Sequence, residues 1–265
     1  MRIAVLFYGR MRKYKEHYEQ FMNLFGSEHQ LDFFLSHSKE LNEDDLVEDF
    51  INLYKPIAVQ NDPMDFDPKF LKFASPFYSP SQQSVQNMFA HFTNKYRVFI
   101  LMENHMKTSN ISYDYIVSTR IDLCIINKIN LNILHPRLIY IPFQFKKDNT
   151  IFDDPTLPIK IYNPKLMIYI KLFHDVANFT IVNPSILIIS TEFCSTNEYY
   201  AYINGIKDQL AIGTYDIMKI HSELIHFWER YLDRGILNHP EHILLYHLYE
   251  NNIPIKRFPL QYDIE

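Results

Sequence analysis

The stretch Tyr113-Asp114-Tyr115-Ile116-Val117-Ser118-Thr119-Arg120-Ile121-Asp122-Leu123-Cys124-Ile125-Ile126 decides how the chain is read. It is rich in β-branched and aromatic residues and follows the polar run Thr108-Ser109-Asn110, which predicts a buried strand. Residues two apart on a strand share a face, so Arg120 and Asp122 project side by side from a segment whose other positions are apolar. Burying charge is costly unless it is paired or bound to something. Two readings follow. One is an internal ion pair that fixes sheet register. The other is a strand end where a carboxylate holds a divalent metal and a guanidinium meets phosphate oxygens.

Working outward, Arg2–Tyr8 is an uninterrupted apolar strand stopped by Gly9, and Lys13–Phe25 follows with helical spacing. Leu31–His37 is a second strand, Leu41–Tyr54 an acidic helix with one apolar face, and Pro56–Gln60 a third strand. Strand and helix in alternation, with fully apolar first strands, predict an α/β fold on a mostly parallel sheet. A Pro- and Asp-rich loop at Asn61–Pro80 precedes a long helix at Ser81–Met106, whose stripe of Val85, Met88, Phe89, Phe92, Tyr96, Phe99 and Met102 reads as core. A strand is expected at Leu138–Phe145, a polar loop at Lys146–Pro164, a helix at Pro164–Val176 and a strand at Ile186–Ser190. Helices at Tyr215–Leu232 and Pro240–Asn251 and a tail strand at Ile253–Pro259 complete the pattern. No linker divides the chain. Residues 1–130 and 131–265 are expected to be two halves of one domain.

The 265 residues are 47% hydrophobic and 15% aromatic, enough for a substantial core and far from the composition of a disordered chain. A formal charge of −5 argues against a broad nucleic-acid footprint. The small basic group Arg10-Met11-Arg12-Lys13 suits a local anion site instead. Two cysteines, Cys124 and Cys194, lack any CxxC or Cys-His spacing, so a zinc site or disulfide framework is not expected. Twelve histidines include no HxH or HExxH pattern. The apolar run at the N-terminus is too short for a signal peptide, and nothing reaches the length of a membrane span. The expectation is a soluble, cytoplasmic protein.

In an open parallel sheet, ligands bind outside the carboxyl ends of the strands, where strand order reverses. Four features are expected at that edge. Gly9, Arg10 and Arg12 form the turn after the first strand, where backbone amides and guanidinium groups favour an anion. His37, between Ser36 and Ser38 at the end of the second strand, either contacts a nucleobase or ribose or is merely exposed. Arg120 and Asp122 are the third feature. Asp208, in Lys207-Asp208-Gln209 between Gly205 and Gly213, is either a helix cap or a carboxylate aimed into the cleft as general base or acceptor-binding group.

Together these segments resemble the GT-A type glycosyltransferases of the polysaccharide and lipopolysaccharide (WavE-like) group, which also occur in large DNA viruses. The matching segments are Gly9-Arg10-Met11-Arg12, Leu31–His37, Gln83–Met88, Tyr113–Leu123, Asp208–Gly213 with Met218, and Pro240-Glu241 with Leu244 and Leu248. They run in order through nearly the whole chain. The resemblance implies a Rossmann-like nucleotide-sugar-binding half joined to an acceptor half. It also implies a glycan or other hydroxyl acceptor, and Mn²⁺ or Mg²⁺ at an Asp-x-Asp motif. Here Arg120 stands where the first aspartate of that motif would be, so Asp122 alone is left to ligate metal and Arg120 to neutralise phosphate. Asp208 is the residue expected to deprotonate the acceptor in an inverting reaction. The location implied is the cytoplasm, of a cell or of a virus-infected host.

Two other classes of function use the same residues differently. A nucleotidyltransferase would employ the same acidic strand end and basic turn, although the usual glycine-rich loop and second acidic pair are missing. A non-catalytic carbohydrate- or protein-binding module would leave Arg120 and Asp122 structural.

Overall fold

The computed structural model describes residues 1–26, 28–39, 43–73, 82–125, 129–144, 159–163, 168–172, 174–175, 180–181, 185–187, 208–234, 236, 240–260 and 262–264. The chain begins β1 (Arg2–Tyr8), α1 (Tyr14–Met22), β2 (Gln30–Ser38), α2 (Asp44–Tyr54), β3 (Ala58–Asp62) and α3 (Gln82–Ser109). It continues through β4 (Tyr115–Arg120), β5 (Leu123–Ile125) and β6 (Ile139–Gln144). Five short strands follow, β7 (Ile159–Asn163), β8 (Ile168–Leu172), β9 (His174–Asp175), β10 (Thr180–Ile181) and β11 (Ser185–Leu187). The last elements are β12 (Leu210–Gly213), α4 (Tyr215–Ser222), α5 (Leu224–Asp233), α6 (Pro240–Glu250), β13 (Ile255–Leu260) and β14 (Tyr262–Ile264).

The central sheet has the order β3-β2-β1-β4-β12-β6-β13, with β10 and β9 added beyond β13. Strands β3, β2, β1 and β4 are parallel throughout. Strand β12 is antiparallel to both neighbours, and β13 is again parallel to β6. This is a single, Rossmann-like α/β domain with a mostly parallel sheet flanked by helices, as the alternation of apolar strands and amphipathic helices requires. Both parts of the chain contribute to one sheet.

After Arg2, strand β1 is apolar at every position because both of its faces are covered. Ile3, Val5 and Phe7 point into a core with Phe21, Phe50 and Tyr54 from α1 and α2. Ala4 and Leu6 point into the opposite core, with Phe92 and Phe99 of α3 and Trp228 of α5. Aromatic packing ties each layer together: Phe50 stacks on Tyr54 at 4.3 Å, and Trp228 on Phe70 at 4.9 Å. The expected core stripe of α3 is in place, with Val85, Met88, Phe92, Phe99 and Met102 buried.

Four expectations are corrected. The segment Tyr113–Ile126 is not one strand: β4 stops at Arg120, Ile121 and Asp122 turn, and β5 leaves to pair with β14 in a separate ribbon. The cause is the length of the neighbour. The register pairs Tyr8 with Arg120, and β1 ends there, just before Gly9, so the ladder has no further rungs. The helix expected at Pro164–Val176 is instead strand at β8 and β9, where the alternation Ile168, Ile170, Leu172 pairs β8 with β7 and β11. Residues Ile159–Asn163, expected in a loop, are β7. The helix expected over Tyr215–Leu232 is divided into α4 and α5 at Glu223. The greater part of the expected polar loop, with Asp148, Asp153 and Asp154, lies outside the described residues, as do Cys194, Gly205 and Lys207.

Candidate functional site

The chain order places the switch point between β1 and β4: from β1 the connections run outward to β2 and β3, and β4 then returns to the other side of β1. At the carboxyl edge of these strands lies a cleft of about 360 Å³. It is lined by Gly9, Arg10 and Arg12 from the turn after β1, His37 and Ser38 from the end of β2, and Arg120 from the end of β4. The opposite wall is α3, which presents Asn87, Ala90, His91 and Asn94.

Each residue is placed by the local geometry of its element. Gly9 has φ +106°, a backbone conformation that L side chains rarely adopt, and it turns the chain abruptly out of β1. The Arg12 amide donates to the Arg10 carbonyl at 2.9 Å, while Met11 between them is buried in the core. The turn is thus anchored by its central residue, with the two arginines on either side. Strand alternation then sorts β2. Phe34, Ser36 and Ser38 face α3, whereas His37 faces the other way, toward the start of α2. Its Nδ1 lies 2.8 Å from the Gly9 carbonyl and its Nε2 2.9 Å from the Glu43 carboxylate. This buried imidazole ties the Gly9 turn to the start of α2, and it is not the exposed histidine of the alternative reading. Asn94 secures the α3 side: it accepts from Ser36 Oγ at 2.9 Å and donates to Ser38 Oγ at 2.7 Å.

Arg120 and Asp122 are indeed paired, and they are also at the cleft. Arg120 Nε and Nη2 donate to the two carboxylate oxygens at 2.7 and 2.6 Å, a bidentate geometry. The arginine side chain keeps 29% of its surface exposed and lines the cleft, whereas the aspartate keeps 2% and is sealed behind it. Burial alone would lower the Arg120 pKa, but the hydrogen-bonded Asp122 carboxylate outweighs it and raises it. The residues do not fit the divalent metal that the resemblance implies. Both oxygens of Asp122 are taken by Arg120, and among the described residues no three His, Cys, Asp or Glu side chains come together as a metal-holding group.

Asp208 occupies a different place from the one expected of a general base. It precedes β12, is buried, and sits beneath His91 with its Oδ2 2.8 Å from Nε2. Its own carbonyl accepts from Tyr8 Oη at 2.9 Å and from the buried Lys95 ammonium at 2.6 Å. Burial pushes the Asp208 carboxyl up, but His91, Lys95 and Arg120 together more than reverse this and hold it well below the usual carboxylate range. The same burial, reinforced by Lys95, pushes His91 down to about 4 against the pull of Asp208, so a neutral imidazole faces an ionised carboxylate. Lys95 is itself pushed down to about 8 by burial and the nearby Arg120 charge, with Asp208 opposing.

The cleft therefore brings Gly9, Arg10, Arg12, His37 and Arg120 together, and leaves Asp122 and Asp208 as buried partners of residues that line it. Sequence reasoning missed His91, Asn94 and Lys95. A signal was present: Asn87, His91, Asn94 and Lys95 recur at helical spacing along an amphipathic helix, a polar stripe beside the core stripe. No protein-family model matches the chain, and no curated protein matches it at a significant level.

Proposed function

We propose that this protein transfers a glycosyl group from a nucleotide-sugar donor to a hydroxyl acceptor, holding the donor diphosphate with arginines. The observation that carries the reading is the convergence of Arg10, Arg12 and Arg120 with the Gly9 turn at the switch-point edge of a parallel sheet. That edge is where α/β sheets bind nucleotides, and guanidinium groups suit phosphate oxygens bidentately. Glycosyl transfer develops its largest new charge on the departing diphosphate, and fixed cations there stabilise the transition state. Arg120, backed by Asp122, is held in one orientation for this role. The cleft lies at the lower end of the ~300–1,000 Å³ range of small-molecule sites.

The test is thermal unfolding of the protein with UDP-, GDP- and CMP-sugars, each in EDTA and in Mn²⁺. A donor that binds only the folded protein stabilises it by about 2.7 kcal/mol at a hundred times its Kd. The expected result is stabilisation by one donor class that persists in EDTA. Stabilisation by nucleoside triphosphates but by no sugar nucleotide would favour a nucleotidyltransferase. No response to any nucleotide would favour a non-catalytic binding module. Dependence on Mn²⁺ would refute the arginine-held diphosphate.

A further inference from the structure

The geometry points to His91 as the group that takes the acceptor's proton, with Asp208 as the positioning residue that fixes its orientation; this rests on the transfer reading above. His91 lines the cleft on the wall opposite the Arg10–Arg12 turn and is 17% exposed. Its buried Nε2 lies 2.8 Å from Asp208 Oδ2, which leaves Nδ1 as the nitrogen to meet an acceptor. The ring is braced edge-on against Tyr8 at 5.1 Å and Phe92 at 5.5 Å, so it cannot swing freely. An ionised carboxylate behind an imidazole selects the tautomer with the proton on Nε2 and stabilises the imidazolium once Nδ1 is protonated.

The bond changes are those of a single displacement. The acceptor O–H bond breaks and its proton passes to His91 Nδ1. The oxygen's electron pair forms the new bond to the anomeric carbon. The bond from that carbon to the diphosphate breaks, and its electron pair leaves on the phosphate oxygen, where the arginines meet it. Inversion at the anomeric carbon follows. The imidazolium then returns its proton to water.

The surroundings of His91 also link its basicity to donor binding. It is faced by Tyr8 from β1, Lys95 from its own helix, Arg120 from β4 and Asp208 ahead of β12, and it acts electrostatically on His221 of α4. In the free protein burial and the positive charges of Lys95 and Arg120 keep it neutral. A diphosphate seated on Arg120 offsets part of that positive field. The donor therefore makes His91 a better proton acceptor.

The experiment compares wild type with His91→Gln, His91→Ala and Asp208→Asn. The probes are UDP-glucose, UDP-N-acetylglucosamine, GDP-mannose and CMP-sialic acid. Binding is read by thermal shift, and turnover by nucleotide release to water or to added sugar alcohols. His91→Gln is expected to lower kcat by about 10²- to 10⁴-fold, the usual worth of a general base, with the donor-induced thermal shift retained. His91→Ala is expected to recover turnover on adding imidazole, which a structural role would not permit. In ¹⁵N-histidine NMR, Asp208→Asn is expected to change the tautomer of His91 and to lower kcat with little change in KM. Unchanged kcat in His91→Gln, alongside donor binding, overturns the role of His91 and leaves the donor reading intact. A retained anomeric configuration does the same. Wild-type protein that neither binds nor turns over any probe overturns both.

Discussion

The pair formed by Arg120 and Asp122 can be taken apart, and the two halves should fail differently. Arg120→Met leaves the Asp122 carboxylate, 2% exposed, without the guanidinium that occupies both oxygens. Removing one partner of a buried pair costs about 3–5 kcal/mol. The stranded acid has one escape, which is to take up a proton. For an ordinary aspartate that costs roughly 4 kcal/mol at pH 7 and roughly 1.5 at pH 5, from about 1.36 kcal/mol for each pH unit. The loss of stability should therefore lie near 4 kcal/mol at pH 7 and fall by more than half at pH 5. Asp122→Asn leaves the opposite orphan. A guanidinium cannot give up its proton, but Arg120 retains 29% exposure on an open cleft where water and anions reach it. Its cost should be about 1–2 kcal/mol, the same at both pH values, and reduced by inorganic pyrophosphate. The double variant Arg120→Met with Asp122→Leu should lose less than the sum of the single variants, since neither charge remains. Urea unfolding of the four proteins at pH 7 and pH 5 measures all of these quantities. Strict additivity, or an Arg120→Met penalty that does not change with pH, would refute the bidentate pair.

Gly9→Ala should destabilise by about 1–3 kcal/mol through backbone strain alone, because a Cβ there meets nothing within 4 Å; an unchanged Tm would contradict the left-handed turn. Asn94→Ala removes the acceptor of buried Ser36 and the donor to Ser38, and a loss of about 1–3 kcal/mol is expected in chemical denaturation. Acid should weaken the fold well above the carboxylate range. Burial first of all pushes His91 and His247 down to about 4 from 6.5, and pushes His221 well below 6.5. Folded-state values below the unfolded ones mean that stability is full above pH 6.5 and is lost as pH falls through the folded pKa, by on the order of 3 kcal/mol for each of His91 and His247. Asp208, also lowered, adds its loss only below pH 3.8. Urea midpoints that stay level from pH 7 to pH 4.5 would show these histidines are not held neutral.

The parallel half of the fold was legible because its signal is one-dimensional. An unbroken apolar run such as Ile3–Phe7 states that both faces are covered, and Gly9 states where the strand must turn. The edge that carries the cleft followed from the same logic, and so did Arg10, Arg12 and Arg120. What the sequence could not report is what depends on a neighbour's length or on a distant partner. The end of β4 at Arg120 is set by β1 ending at Tyr8, more than a hundred residues away. Asp208 was placed at the right edge, but its burial beneath His91 depends on a histidine from another element lying over it. His91 escaped because one polar residue among the many of an amphipathic helix has no local signature. Only the recurrence of Asn87, His91, Asn94 and Lys95 along one side of α3 could have revealed it.

That helix spans 28 residues, about 42 Å at 1.5 Å per residue, and its flanks serve unlike purposes. One flank is welded into the hydrophobic interior through Phe92, Phe99 and Met102, while the adjoining flank forms a wall of the cleft. The wall residues consequently move as one rigid unit and cannot drift apart individually. Exchanging Asn87 or Ala90 would recut the shape of the recess while the strands carrying the arginines stay where they are. Under the proposed transfer reading, selectivity and anion capture are lodged on separate pieces of the scaffold, free to diverge at different rates.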